Sequence, residues 1–586
     1  MGMRSKSRSR KAAAGNALSG VQVALELVFR AIGQVAQIPA VVAGLSLLMP
    51  GLGHVAIHKF RRGAIVALPA LAVTFVVLLL VIFDRSALFE LVSAKVLTSL
   101  LLLDLVALVY HLWAMADGYM MAAKLRPVRP GATRWLSGGA VAVLVLGTVT
   151  IHAGLASVNL QTQQTLNCVM NANGPCIADY SPGDSIPSFD MGVDSPDPST
   201  SVAPDPTDTP AAPGSAAPTP GDTTLYPVPP ACTDPSGWAA RNCTLYILLI
   251  GGDAGIGRPG GQCDPTKPNC VVDLRTDTMI VLQVDLSTGR SAMYSIPRNL
   301  MNVPLGKTDW NAYPYHFFPA LKAYGASSKL GCGNAGSECI IDYMWHDAAF
   351  VNPGKYPYPG NYFARATKAV EESIGALMGV PMSGTVVVDL LGFVNLIDAL
   401  APNGLKINSP YDVRQIPGSP YTNSVAVHQY GLHFPKGVQT LHGEMALAFA
   451  RLRHVVAHDS DTFRTARQQL VLSSLLDQLN PCEIAPNISG VLGAVKGTIW
   501  TNMDWNDAPQ LAAVAAKIHT SNLKTYQLNS SRGYAANVTP DVGSTAVLQK
   551  YQNAVKIGLN GASSAYGGGS SGGGNGGGNG GGGFHC

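Results

Sequence analysis

Apolar positions fall into two regimes along this chain. In the first quarter they run on without a period: Gly63 to Phe83, Val96 to Met115 and Ser137 to Ser157 are nearly unbroken apolar segments. Each is close to the ~20 residues that carry a helix across a bilayer. The stretch Val41 to Ile57 is also apolar but is interrupted by Pro50, Gly51 and Gly53, which predicts a re-entrant or interfacial entry to the first span. Later in the chain the apolar residues come in short groups with a readable period. TLYILLIG (Thr244 to Gly251), TDTMIVLQVDL (Thr276 to Leu286), SAMYSIP (Ser291 to Pro297) and TVVVDL (Thr385 to Leu390) predict strands. Helical spacing appears over Tyr362 to Met378, Leu391 to Ala401, Gly443 to Arg453, Thr462 to Leu479 and Ala508 to Thr520. Strands interleaved with helices predict an α/β domain with a central mixed sheet flanked by helices, placed after amino-terminal transmembrane helices.

Charge then orients the spans. Lys59, Arg61 and Arg62 precede the first, and Lys124, Arg126, Arg129 and Arg134 lie between the second and third. By the positive-inside rule the amino terminus is cytoplasmic, and three crossings leave everything after about Ser157 outside. The basic start, Arg4 to Lys11, is not followed by a compact apolar run with a cleavage site, so it is read as retained. Asp104 and His111 sit within the second span, where helix packing is favoured over a proton or ion route.

Composition divides the remainder. Asp179 to Pro230 is dominated by Pro, Ser, Asp, Thr and Ala and has too few large apolar side chains for a core, so it reads as an extended acidic stalk. The Gly-rich tail is assigned no fold. The expected organisation is a basic amino terminus with the interfacial segment over 1–62, three spans within 63–157, and a linker over 158–240. A globular domain over 241–530, a helical extension over 531–560 and a Gly-rich tail over 561–586 complete it. A net charge of +4 on 586 residues gives no reason to expect nucleic acid. All ten cysteines follow the last span. Eight are short-range neighbours (Cys168 and Cys176, Cys232 and Cys243, Cys263 and Cys270, Cys332 and Cys339), as expected for local disulfides in an oxidising compartment, with Cys482 and Cys586 a long-range pair or free thiols. Zinc is disfavoured because the gap between Cys263 and Cys270 exceeds the usual ligand spacing.

Three groups of residues carry candidate chemistry. Asp253 follows the first strand in LLIGGD, and Arg275 and Asp277 open the second in RTDT. Carboxylates at adjacent strand ends can converge on Mg2+, which takes a few carboxylate oxygens and leaves other positions to water and phosphate. The alternative is local: Asp253 capping a turn, and Asp277 pairing with Arg275. In SIPRN, Arg298 follows a strand stopped by a proline. The third group, ARLRHVVAHDSDTFRTARQQ, holds Arg451, Arg453, Asp461, Arg464, Arg467, Gln468 and Gln469. Asp461, Arg464 and Gln468 share a helix face by spacing, with Phe463, Ala466 and Leu470 opposite, and Leu472, Leu475 and Leu479 continue the polar face as an apolar one. Arginines without a matching run of acids suit phosphate oxygens, although an ordinary solvated face is a competing reading for Arg467.

These motifs, in this order, resemble the LytR-CpsA-Psr family of cell-wall glycopolymer ligases, from near Tyr246 to about Leu479. The resemblance implies an LCP-like fold, outside the membrane on an amino-terminal anchor. It also implies a phosphotransferase that moves a glycopolymer with its linking phosphate from a polyprenyl pyrophosphate carrier to a peptidoglycan hydroxyl. By matching position, Asp253 and Asp277 would hold Mg2+, and Arg275, Arg298, Arg451, Arg453 and Arg464 would contact the pyrophosphate, with Gln468 hydrogen-bonding nearby. Arg298, Arg464 and Asp461 are the implied catalytic residues; Asp461 either orients the arginines or accepts the attacking hydroxyl's proton. An apolar tunnel for the prenyl chain would draw on Leu390 to Leu400 and Leu472 to Leu479, unless these are ordinary core. The sequence departs from the family pattern at Asn299, where an acid is usual, at TDWNAYPY, where Asn311 and Ala312 hold the place of a KIN-type segment, and at PNGL (Pro402 to Leu405). The insert Gln262 to Val272 and the region Leu330 to Tyr358 are longer than the family core needs and are expected to reshape the acceptor side without touching the pyrophosphate site. A hydrolase of polyprenyl pyrophosphates and a noncatalytic wall-binding or regulatory protein are the alternatives. PGLGHVAIHKFRRG (Pro50 to Gly63) also looks like the Pro-Gly turn of small two-span membrane modules.

Overall fold

The structure is a computed structural model. It describes residues 38–83, 93–125, 132–170, 229–232, 242–252, 273–308, 312, 317–318, 340–415, 432–452, 455, 461–478, 488–496, 498–504, 507, 523–528 and 545–560. The chain divides into two compact units, Met1–Gln161 and Thr162–Cys586.

The first unit contains α1 (Pro39–Leu48), α2 (Leu52–Ala56), α3 (Phe60–Phe83), α4 (Ala94–Leu125) and most of α5 (Ala132–Val169). Each predicted span lies within a longer helix. Two helical segments, Ala94–Leu125 and Gly138–Val169, are long and apolar enough to cross a membrane. Because α5 continues to Val169, the start of the predicted linker at 158 is corrected: 158–169 is helix. The interruption at Pro50 to Gly53 is a turn between α1 and α2 that glycine alone fits. Gly51 has φ +92°, and a Cβ on Gly53 would lie 2.1 Å from the Val42 carbonyl oxygen. Asp117, on the part of α4 beyond the predicted span, accepts from Arg62 (Nη2 to Oδ1, 2.8 Å) and contacts His54 Nε2 at 2.7 Å. Asp104 joins α4 to α5 through His152 (2.7 Å), whose other ring nitrogen is 3.1 Å from His111.

The second unit is built on a six-stranded mixed sheet. Its strands are β1 (Thr244–Gly252), β2 (Thr278–Asp285), β3 (Ser291–Ile296), β6 (Gly384–Asp389), β11 (Ile499–Thr501) and β12 (Lys524–Gln527), in the order β11-β6-β1-β2-β3-β12. The β1-β2-β3 meander is antiparallel, while β6 and β12 join it in parallel. Short pairs lie outside it: β4 (Val303–Pro304) with β5 (Phe317–Phe318), β7 (Leu405–Ser409) with β10 (Gly437–Leu441), and β8 (Val413–Arg414) with β9 (His433–Phe434). The remaining helices are α6 (Ile341–His346), α7 (Tyr362–Met378), α8 (Leu390–Leu400), α9 (Gly443–Arg451), α10 (Asp461–Gln478), α11 (Ile488–Val495) and α12 (Thr545–Ile557).

Strand alternation divides the side chains between two layers. Tyr246, Leu248 and Ile250 of β1, with Val281, Tyr294, Val387 and Trp500, form the main core with α6, α7 and α12. Burial pushes the Tyr246 hydroxyl up to about 12, partly offset by its hydrogen bond with Gln283. α12 supplies Tyr551, Ala554 and Val555 to this core, so the predicted helical extension over 531–560 is corrected: its helix belongs to the domain, because its apolar face closes the layer over α7. On the other side, α8, α9, α10 and the β7-β10 hairpin enclose a second core that includes Ile397, Leu405, Phe449, Leu470, Val471 and Leu475.

Small shifts in predicted boundaries have local causes. α9 stops at Arg451 rather than at 453, where Leu452 turns to an extended backbone (ψ 132°). α8 starts at Leu390 because the Asp389 carboxylate caps it by accepting from Leu391 N. The predicted helix over 508–520 lies outside the described residues. Cys232 and Cys243 form a disulfide with a Cα–Cα distance of 5.2 Å, tying the segment before β1 to its first strand residue's neighbour. Replacing both with serine is expected to lower stability by about 2–3 kcal/mol, read as a lower midpoint in denaturant titration of the oxidised protein. Cys168 is a buried free thiol; its predicted neighbour Cys176 and the other six cysteines lie outside the described residues.

Candidate active site

The site is assembled where two extended segments meet a short helix. In 273–277 the backbone alternates, so Leu274 and Thr276 are fully buried while Asp273, Arg275 and Asp277 emerge on the opposite side. β3 ends at Ile296, and Pro297 removes the amide that could extend the ladder, which turns Arg298 toward the same place. α6 is docked there by its backbone: Ile341 N donates to Leu300 O (2.9 Å) and Asp342 N to Arg298 O (3.2 Å).

The result is an interlocked charge cluster. Arg298 Nη1 donates to Asp277 Oδ1 at 2.5 Å and stands 3.7 Å from Asp342 Oδ2, while Arg275 Nη1 stands 3.9 Å from Asp342 Oδ1. Arg275 also lies over the Tyr343 ring, 5.3 Å from its centroid. Asp342 is 1% exposed, so its charge is held away from water between two guanidinium groups. The sequence reading missed Asp342, and its expectation that Leu330 to Tyr358 leaves the pyrophosphate site untouched is corrected. Once α6 docks on the Arg298 carbonyl, this region supplies the carboxylate that aligns both arginines. The alternative reading, in which Asp277 pairs locally with Arg275, is not what the structure shows: Arg298 reaches Asp277 from the neighbouring strand, and Arg275 turns to Asp342.

α10 carries the third group. Arg464 is buried and Gln468 half-buried; Gln468 Oε1 has no hydrogen-bond partner among the described residues. Arg467 is not a phosphate-facing residue: Nε donates to Phe449 O (2.7 Å) and Nη2 to Leu452 O (2.5 Å), closing the carboxyl end of α9. Gln469 likewise donates to Tyr526 O (2.9 Å) and fastens α10 to β12. The expected two-faced helix is therefore buried on both sides. Leu470, Val471 and Leu475 belong to the second core, and Leu472 is half-buried. Arg451 is half-buried at the end of α9. Asp253, Arg453, Asn311 and Leu479 lie outside the described residues, as does the Asp461 side chain.

On the sheet face toward α10, Leu249 of β1 pairs with Val386 of β6, and Val388 lies two residues on. These three remain half-buried although their strands are flanked by others on both sides, and Leu391, Phe393, Val394 and Leu396 of α8 are half-buried too. Apolar surface therefore stays open in the middle of the domain.

For the metal, the described residues contain no group of three or more His, Cys, Asp or Glu side chains arranged for an ion. Asp277 offers one carboxylate, with Oδ1 engaged by Arg298. Such a donor set fits an ion that takes few protein oxygens and completes its shell with phosphate and water.

Comparison with known proteins agrees with the motif order. Residues 356–557 match the LytR_cpsA_psr family model. That span includes Arg451, Arg453, Asp461, Arg464 and Gln468, and begins after Arg275, Asp277 and Arg298. Among curated relatives, Regulatory protein MsrR of Staphylococcus aureus (strain Mu50 / ATCC 700699) is 27% identical over 26% of this chain and 41% of its own length. Polyisoprenyl-teichoic acid–peptidoglycan teichoic acid transferase TagV of Bacillus subtilis (strain 168) is 23% identical over 44% of this chain and 53% of its own. The chain thus spans about half the length of the curated relatives it matches or less. The crystal structure of B. subtilis TagV aligns over 55% of this chain and 98% of that one, at 18% identity and a TM-score of 0.34. By this match, the chain is similar to the LytR-CpsA-Psr family over residues 356–557.

Proposed function

We propose that the protein is a membrane-anchored phosphotransferase that moves a glycopolymer, with its linking phosphate, from a polyprenyl pyrophosphate carrier to a peptidoglycan hydroxyl outside the cytoplasmic membrane. The observation that carries this reading is the pair Arg275 and Arg298 held on the buried Asp342, beside Asp277. Guanidinium groups fixed before substrate arrives stabilise phosphate oxygens without reorganising as charge moves. The activity for which TagV is named, polyisoprenyl-teichoic acid–peptidoglycan teichoic acid transfer, supports the donor and acceptor classes. The open apolar surface of Leu249, Val386, Val388 and α8 supports a binding place for a prenyl chain.

Asp277, with Asp253 by resemblance, would hold Mg2+, which when bound neutralises pyrophosphate charge. Arg275 and Arg298 grip the pyrophosphate, and Arg451, Arg453, Arg464 and Gln468 complete the binding set. The two apolar helical segments Ala94–Leu125 and Gly138–Val169 support the anchor, with α3 as a further span, the amino terminus inside and the domain outside.

Incubating the full-length protein with carrier-linked glycan, with and without peptidoglycan, tests this directly. Glycan phosphate attached to peptidoglycan is expected, with transfer lost in Arg464→Ala and bound polyprenyl phosphate recovered by mass spectrometry. Unchanged transfer by Arg464→Ala would sink the assignment, and equal release of free glycan phosphate in both incubations would favour a hydrolase.

A further inference from the structure

Next to the arginine cluster, on the same two elements, lies a second pair that no role above uses. α6 presents Asp342 and His346, four residues apart and so on one face, to the polar side of 273–277. Asp342 meets Arg275, and one turn later His346 Nδ1 meets Asp273 Oδ1 at 2.7 Å. The imidazole is set by rings on both sides: Tyr343 at 4.8 Å and Phe350 at 5.5 Å between centroids. Tyr343 is also the ring under Arg275, so guanidinium and imidazole share one aromatic support. α6 passes directly into a π-helical turn, Asp347–Val351, an irregularity that often marks functional positions.

We propose that His346, oriented by Asp273, is the general base that takes the proton from the acceptor hydroxyl; this rests on the phosphotransfer reading above. A base needs an available lone pair near the phosphate grip. Asp342 is buried and holds two arginines, and Asp277 Oδ1 accepts from Arg298. His346 differs: Nδ1–H donating to Asp273 leaves the lone pair on Nε2, which has no hydrogen bond among the described residues, and its side chain is 26% exposed. Asp273 selects that tautomer and stabilises the imidazolium once it forms. In the step, the acceptor O–H proton passes to Nε2 as the oxygen bonds to the glycan-linked phosphorus. The bridging P–O bond breaks with its electron pair on the departing polyprenyl phosphate, and the imidazolium releases its proton to water.

Among the described residues, the charged and titratable groups around this imidazole are Asp273 and Arg275 from the extended segment and Asp342 and Tyr343 from α6. Beyond them are Asp347, which accepts from Asn352 and Tyr356, and Arg365 of α7, which binds the Ala348 carbonyl. All are retained in the variants below except where named.

The test uses the full-length protein in detergent with polyprenyl pyrophosphate-linked glycan and peptidoglycan. His346→Gln is expected to lower kcat for transfer by about 10²–10³-fold with donor KM within two-fold, and to abolish the acid limb of the pH–rate profile. His346→Asn keeps a donor toward Asp273; a purely positional role predicts that it restores activity, and catalysis by the imidazole predicts that it does not. His346→Ala is expected to recover turnover with added imidazole. Asp273→Asn is expected to lower kcat less than His346→Gln does and to shift the acid limb. Wild-type transfer accompanied by an unchanged profile in His346→Gln, or by full activity in His346→Asn, overturns the proposal while leaving phosphotransfer standing. Absence of transfer by the wild-type protein with every carrier and acceptor overturns phosphotransfer itself.

Discussion

Replacing Arg298 with alanine is expected to lower glycan transfer by roughly 10³-fold or more, because removal of one preorganised donor from a charge-stabilising site already accounts for about 10²–10³. Arg298 spans Asp277 at 2.5 Å and Asp342 at 3.7 Å, and in the proposed reaction it also presents guanidinium donors to phosphate. Without it Asp342, 1% exposed, has Arg275 alone as a guanidinium neighbour within 4 Å among the described residues, and the two flanking carboxylates repel bound pyrophosphate. A stability loss of about 1–3 kcal/mol accompanies the change, from a buried carboxylate that has lost a partner. The two effects separate experimentally. Adding Asp342→Asn to Arg298→Ala removes the buried charge, so melting temperature should recover while turnover should not. Arg298→Lys keeps the charge but loses the planar fork, and an intermediate turnover is expected. Wild-type turnover in Arg298→Ala would remove this cluster from the active site.

The second large effect is on stability. Arg467→Ala is expected to destabilise the domain by about 3 kcal/mol, through loss of charge-assisted hydrogen bonds from a buried guanidinium to two main-chain carbonyls. Arg467 is 2% exposed and reaches Phe449 O and Leu452 O, which end α9 without a following helical turn to pair them. The same contacts position Arg451, the last residue of α9, relative to α10. A fall in melting temperature of about 5 °C follows for a domain of roughly 300 residues. Thermal unfolding of the purified full-length variant measures it, and a shift under about 2 °C would show that these carbonyls find other partners. The contrast with Arg298 matters because the two arginines look alike in sequence: one closes the end of α9, and the other lies between two carboxylates where the proposed chemistry needs it.

Much of the architecture was legible before any coordinates. β1, β2, β3 and β6 were found within one or two residues, because their alternation or apolar runs are bounded by turn residues and their strands carry the centre of the sheet. α7 was found at its exact ends, because it has a strong 3.6-residue stripe, Asn361 as its cap and Gly379 in the left-handed conformation after it. β11 and β12 were not found. They are three and four residues long, too short to show a period, and are strands only because β6 and β3 offer them an edge. The same limit applied to α12, whose amphipathic pattern announces a helix but not that its partner is α7, nearly two hundred residues earlier in sequence.

By itself, the sequence determined the apolar amino-terminal segments, the stalk and tail composition, the central strands and the family motifs, since each depends on residues adjacent in the chain or at a fixed local spacing. It also brought Arg275, Asp277 and Arg298 forward as chemistry-bearing residues. Tertiary structure alone decided how they are used: that Asp277 pairs with Arg298, that Asp342 holds both arginines, that Arg467 serves α9, and that His346 meets Asp273 across 73 positions. The physical reason is that an ion pair or a hydrogen bond is a relation between side chains in space. Residue type and spacing state which groups can make one, and only the docking of α6 on the end of β3 states which of them do.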